Sequence, residues 1–349
     1  MAIELAAARV KLFEPEAILA RLSKSLGFLT GGARDMPARQ QTLRGAIAWS
    51  HDLLGEPERA LFRRLAAFVG GWSLKSAEAV CDPDGNLGVD LLDEMASLVD
   101  KSLVLRDASV AGEPRFRYLA TIREFAAERL DASPEAAATR ERHALHFLGR
   151  AEAAGPHLLS GEMAHGLDAL APDEDNLREA IRWSLAVGRP EVGLRLMGAA
   201  WRFWQERSSV AEGRSWAEQL LAHPAAQAGG LPRALGLEAL GGLAYWMGDD
   251  FDTVARAYDE SLHLAEAVGD LPLQATVEYG LGFLSMARGE SQDVRRHEQA
   301  SVDLYGRLGD ADGVARARMG LIFSELLERE FETARGMAKE SVERFRERG

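Results

Sequence analysis

Few residues in this chain have the type and spacing that chemistry requires. His143 and His146 stand three apart, near the spacing at which a helix presents paired metal ligands, yet no third ligand of matching spacing accompanies them. Two histidines on one helical face then serve packing or meet solvent. A phosphate cradle needs Gly-x-x-x-x-Gly-Lys-Ser/Thr, in which backbone N–H groups and the lysine neutralise the anion. None of the lysines (Lys11, Lys24, Lys75, Lys101, Lys339) follows a glycine, which leaves Gly31-Gly32 and Gly70-Gly71 as loop punctuation. No Gly-x-Ser-x-Gly elbow occurs. Cys81 precedes Asp82-Pro83-Asp84, where negative charge disfavours a thiolate. The acids Asp173-Glu174-Asp175 read as the entry to a helix, whose N-terminus favours negative charge. The expectation is a chain with no catalytic, metal-binding or cofactor-binding residues, and therefore no enzyme.

Composition narrows the partners. With a net charge of −13, the chain repels nucleic acid and anionic membrane unless a local patch overrides it. A single cysteine rules out an internal disulfide framework and fits a reducing compartment. No apolar run is long enough to span a bilayer, and no basic stretch followed by an apolar core opens the chain. Cytoplasmic localisation is expected.

The elements that must carry any function announce themselves by repetition. Gly269, Gly309 and Gly349 are 40 residues apart; Ser261, Ser301 and Ser341 keep the same step, as do Leu262, Val302 and Val342. Such a period marks a solenoid of stacked supersecondary units. Within 231–349 the apolar residues recur at helical spacing, two helices to a unit, with turns at Gly248-Asp249 and Gly289-Glu290. Paired amphipathic helices bury their apolar stripes only by stacking on the next pair, and the stack presents a groove. Tyr245, Trp246, Phe283, Met286 and Phe323, all on first helices, are the candidate groove lining for a peptide, a protein or a small effector. Spacing alone does not separate that role from core packing, which is also open to Trp201, Phe203 and Trp204.

Upstream, the pattern changes. Residues 1–36 read as one or two helices that begin without a cap, as though continuing from something before them. Helical stripes then occupy 43–54, 57–68, 74–80 and 89–99. Two extended runs, 102–105 and 115–119, flank Ala111-Gly112-Glu113-Pro114, and a helix over 121–130 closes the unit. A hairpin after a helical triplet is the wing of a winged helix. Further helices are expected at 143–153, 176–187 with Asp175 as N-cap, 191–206 and 213–221, followed by a loop over 223–232.

Two resemblances follow from particular residues. Leu240-Gly241-Gly242-Leu243-Ala244-Tyr245-Trp246-Met247-Gly248-Asp249, with Phe251-Asp252 and Val254, resembles a tetratricopeptide repeat (TPR), and the likeness fades in the third unit, where Ile322 and Arg329 replace the small residue and the turn glycine. Arg39-Gln40-Gln41-Thr42-Leu43-Arg44, Trp49-Ser50, Leu61–Leu65, Leu98–Leu103, Thr121–Ala126 and Asp175-Asn176-Leu177-Arg178 resemble bacterial STAND-type signal-transduction ATPases, the NB-ARC-like modules of large LuxR-like and SARP-like regulators. That resemblance implies a P-loop NTPase, a helical subdomain, a winged helix and TPR repeats in this order, with the P-loop domain absent here. It assigns 1–36 to a remnant of the helical subdomain, 37–132 to the winged helix, 133–230 to an irregular helical start of the solenoid and 231–349 to the TPR repeats. The family's phosphate-sensing Met-His-Asp motif would fall on Tyr118-Leu119-Ala120, where Leu119 and Ala120 have no donor to offer.

The expected fold is thus all-α, a winged-helix domain with a small β-hairpin followed by a TPR-like α-solenoid. Its expected function is the effector-sensing and interaction portion of such a regulator, the winged helix coupling to a nucleotide-binding domain of the parent protein. The alternative is a regulator that reads DNA directly through the winged helix. Against it, the helix expected over 87–101 carries Asp90, Asp93, Glu94 and Asp100 beside Lys101 alone, and residues 37–130 hold 12 basic against 14 acidic side chains. Self-association through the last repeat, with no polar capping helix after it, is a further expectation.

Overall fold

The computed structural model describes residues 43–348 apart from Asn86, Ala111, Ser208, Asp249 and Asp250. The helical piece expected at 1–36, the segment Arg39–Thr42 and the residues Asp249 and Gly349 lie outside the described residues. The chain forms two compact units, one of residues up to 147 with 172–180, the other of 148–171 with 181 onward.

The first unit runs α1 (Leu43–Asp52), α2 (Glu56–Arg64), β1 (Trp72–Ser73), α3 (Leu74–Cys81), α4 (Leu91–Asp100), β2 (Leu105–Val110), β3 (Glu113–Arg117) and α5 (Ala120–Asp131). Local chemistry fixes the helix starts. Ser73 Oγ accepts from Ser76 N–H, Asp90 accepts from Leu92 N–H at 2.8 Å, and Glu58 reaches back to Gly55 N–H at 2.7 Å. The sheet order is β1-β3-β2, all antiparallel, with Trp72 opposite Phe116 and Leu105 opposite Arg117. Phe62, Leu65, Phe68, Trp72, Met95, Leu98 and Phe125 are buried between the helices and this sheet. Each contributes roughly 1.5–3 kcal/mol by leaving water.

The hairpin sits later in the first strand than the sequence implies. Ser102 takes a left-handed conformation (φ 57°), and Leu103 and Val104 go into the core before pairing begins at Leu105. At the far end Tyr118 leaves the ladder, because its hydroxyl donates to the Phe62 carbonyl at 2.7 Å. The two-residue β1 has no pattern of its own to betray it.

Helices α6 (Ala136–Leu158), α7 (Met163–Leu170), α8 (Glu174–Ala186), α9 (Pro190–Glu206) and α10 (Val210–Ala222) follow. Helix α7 was not expected, and Asp175 is not an N-cap. It lies in the first turn of α8, after a 3-10 turn at 171–173. The expected loop at 223–232 holds a 3-10 turn over 224–228, and the next helix starts at Gly230.

The second unit continues as three helical hairpins: α11 (Gly230–Met247) with α12 (Phe251–Val268), α13 (Leu271–Arg288) with α14 (Ser291–Leu308), and α15 (Ala311–Leu327) with α16 (Phe331–Arg348). Each helix packs on its sequence neighbours, and the first helices α9, α11, α13 and α15 also touch one another in succession. That is the pattern of a solenoid. The 40-residue interval has a physical cause at its described glycine and serine marks. Gly269 and Gly309 end helices in the left-handed region (φ 72° and 70°), and Asp270 and Asp310 then cap the next helix by accepting from Leu273 N–H and Gly313 N–H. Ser261 and Ser301 are buried hydroxyls that donate to the carbonyls of Ala234 and Ala275 at 2.7 and 2.9 Å. The third intra-hairpin turn departs from the rule. Gly248 and Gly289 are left-handed there, and Arg329 takes the same conformation (φ 65°) with a Cβ in the way. Replacing Arg329 by Gly should stabilise the α15–α16 hairpin by about 0.5–1 kcal/mol, seen as a higher urea midpoint at unchanged slope.

Candidate functional site

Two places carry the residues that bear on function. The first is α4 and the wing. Helix α4 turns Leu91, Met95 and Leu98 inward and exposes Leu92 (53%), Asp93, Ala96 and Asp100. Lys101, the base at its end, is held by the Glu58 carboxylate of α2, which the Ser97 hydroxyl and Gly55 N–H also meet. Burial alone would raise the Glu58 pKa. Those three donors outweigh it and hold the carboxyl below its usual range. In the wing, Arg117 pairs with Asp107 at 3.2 Å, and Arg115 is buried against Asp173 at 2.8 Å, while Arg106 stands exposed. The exposed residues of α4 are acidic and apolar.

Asn176, in the Asp175–Arg178 stretch, is a buried hub of the first unit. Its side-chain oxygen accepts from Val69 N–H at 2.8 Å and lies 3.1 Å from His143 Nε2, and its amide donates to Gly71 carbonyl at 2.8 Å. It thereby satisfies the backbone of the turn that leads into β1. His143 is fully buried, and that burial pushes its pKa down to about 4, against the opposing pull of Asn176. It is neutral at neutral pH. His146 meets Ser76 Oγ at 3.1 Å, so the pair does not converge on a metal, and no cluster of metal-ligating residues occurs among the described residues. Cys81 is buried, which raises its thiol pKa far above the ordinary value.

In the second unit the aromatic residues divide. Trp201, Phe203 and Trp204 belong to the core. Tyr245 and Phe283 are half-buried and meet edge to face at 6.5 Å, with Tyr279 against Phe283 at 4.9 Å. Met286 is half-buried one turn on, whereas Trp246 (55%) and Phe323 (44%) are exposed. The five candidate residues therefore lie on the consecutive first helices α11, α13 and α15, together with Tyr279, which its spacing alone does not mark.

The model of the winged helix-turn-helix domain family matches residues 54–131. The chain contains a winged helix-turn-helix domain. It is 40% identical over 222 residues to proteins designated HTH-type transcriptional regulators in Mycobacterium bovis and Mycobacterium tuberculosis, covering 63% of this chain and 25% of theirs. An uncharacterised Mycobacterium tuberculosis protein is 41% identical over 148 residues, 42% of this chain and 37% of its own. The chain thus spans about a quarter of the length of the designated regulators it matches. Among solved structures it is similar to kinesin light chain TPR-like repeats from Podosopora anserina (13% identity, TM-score 0.41, covering 57% of this chain and 94% of that one). It is also similar to a Signal Transduction ATPase with Numerous Domains (STAND) protein with a tetratricopeptide repeat sensor from Pyrococcus horikoshii (14%, TM-score 0.41, covering 97% and 58%). No described helix is long and apolar enough to cross a membrane.

Substituting Asn176 by Ala would strand Val69 N–H, Gly71 carbonyl and the His143 ring in the interior. The expected loss is about 2–4 kcal/mol in the first unit, measurable as a lower denaturant midpoint with the solenoid's helical signal retained.

Proposed function

We propose that this chain is the non-catalytic sensing and interaction portion of a STAND-type transcriptional or signalling regulator acting in the cytoplasm. The solenoid groove binds a peptide, protein or small effector, and the winged helix couples that event to a nucleotide-binding domain of the parent protein. Coupling of this kind requires an effector whose affinity differs between two arrangements of the parts. The observation that carries the reading is the state of Lys101. The base at the end of the helix that would enter a DNA groove is already paired with Glu58, on a face otherwise made of Leu92, Asp93, Ala96 and Asp100. Phosphate neutralisation needs several unpaired cations there. The half-buried contact of Tyr245 with Phe283, and the exposure of Trp246 and Phe323 on first helices, support the groove as the recognition surface, since aromatic anchors dominate interface energetics.

Direct DNA reading is the second proposal. The match to the winged helix-turn-helix family, the relatives designated as regulators and the exposed Arg106 on the wing favour it.

A salt series separates the two. With a labelled duplex of mixed sequence, the sensing role expects no saturable binding below about 10 μM at 150 mM salt, a level near ordinary non-specific affinity. Tight binding that weakens steeply with salt, and that Arg106→Ala reduces, would establish the second reading instead. In parallel, Trp246→Ala with Phe323→Ala should remove at least tenfold of the affinity for any peptide captured from a random library, with helical content unchanged.

A further inference from the structure

The solenoid buries a carboxylic acid at a joint where the neighbouring repeat buries a ring. At the first joint Tyr258 of α12 fills the crossing. A Cβ on Gly241 of α11 would stand 2.8 Å from that ring, and one on Gly280 of α13 2.7 Å from it. Forty residues on, the same place in α14 is Glu298, 1% exposed, flanked by Gly282 of α13 and Gly320 of α15. A Cβ on Gly282 would come within 2.5 Å of its Oε1, and one on Gly320 closer still. Both helices therefore close directly on the carboxyl, whose Oε2 is buried with no hydrogen-bond partner.

The ionisable groups around it offer no compensation. On α13, burial and then Glu298 raise the Tyr279 pKa, and Glu278 is paired with His297 of α14 at 2.6 Å. On α14, Arg295 reaches Glu325 and Glu328 at 2.8 and 2.7 Å, Arg296 reaches Asp293, and Tyr305 meets Thr276. On α15, Arg316 lies over the Tyr305 ring and donates to the Leu159 carbonyl. An ionised carboxylate in that setting is far more costly than a neutral acid.

We propose that Glu298 is carried as the neutral acid and makes the crossing of α13, α14 and α15 a proton-controlled joint. With the proton on, α15 seats against α14. Ionisation parts α15–α16 from α13–α14, and with them Phe323 from Phe283, which alters the width of the groove.

Burial pushes the carboxyl up to about 9 in the closed joint, against an ordinary value of about 4.3 once it meets water. A raised pKa in the closed state means that closure is fully favoured below the ordinary value and is lost as pH rises through the closed-state value. Between those limits opening releases one proton, so the open-to-closed ratio should rise about tenfold per pH unit. Glu238 on α11 is a second buried carboxyl, raised to about 7 by burial despite Arg202 and the Trp201 indole. Its effect would register in α9 and α11, at the other end of the array.

Hydrogen exchange of the whole chain between pH 5.5 and 8.5, corrected for intrinsic rates, reads the joint directly. Amides of 311–327 should open about a thousandfold more readily across that range, and Glu298→Gln should abolish the slope while Glu238→Gln leaves it. A flat wild-type profile, or an unchanged slope in Glu298→Gln, overturns the proposal. If Glu298→Gln fails to fold, carboxyl carbon NMR of the labelled chain decides. A glutamate still protonated at pH 7.5 in the Glu238→Gln background supports the joint, and its absence refutes it.

Discussion

Helix spacing in the solenoid is set where a glycine on one helix meets a large side chain from another. Gly241 and Gly280 lie under Tyr258, Gly242 under Trp201, and Gly282 and Gly320 around Glu298. The absent Cβ lets neighbouring axes close until the rings and the carboxyl touch backbone, and dense packing then transmits any change at one crossing to the next. The buried serines belong to the same constraint, because a hydroxyl is small enough to sit in the contact and still reach a carbonyl across it. What stands half-open on the first helices is whatever this close approach leaves uncovered.

Much of this was legible in the sequence because each periodic residue has a separate physical duty. Gly269 and Gly309 need positive φ, Asp270 and Asp310 cap, and Ser261 and Ser301 satisfy carbonyls, so the interval repeats even as the intervening residues drift. The winged helix was legible from its helical triplet and hairpin. Other features had no local signature. Strand β1 is two residues long and exists because Trp72 and Ser73 face β3; α7 has no cap that the sequence advertises. Asp175 looked like a cap, yet the 3-10 turn before α8 shifts the helix start. Trp201 and Trp246 are alike in sequence, and only the next helix pair decides that one is buried and the other open. Glu298 reads as an ordinary polar position until Gly282 and Gly320 close on it.

Each unit buries ionisable groups that couple its folding to protons. In the first, His143 is buried neutral and Glu135 is drawn down to about 2, chiefly by Arg64 and then Arg63, so both groups favour folding above acid pH. In the second, Glu238 and Glu298 are raised by burial and favour folding as pH falls.

The burial of Cys81 in α3 has a practical corollary. Its thiol is shielded from solvent and held protonated, so maleimide and similar reagents will find little to attack in the folded chain. A cysteine introduced at Trp246 or Phe323 would then carry a fluorophore or spin label selectively on the wild-type background, and distances between the first helices become measurable without first removing the native thiol.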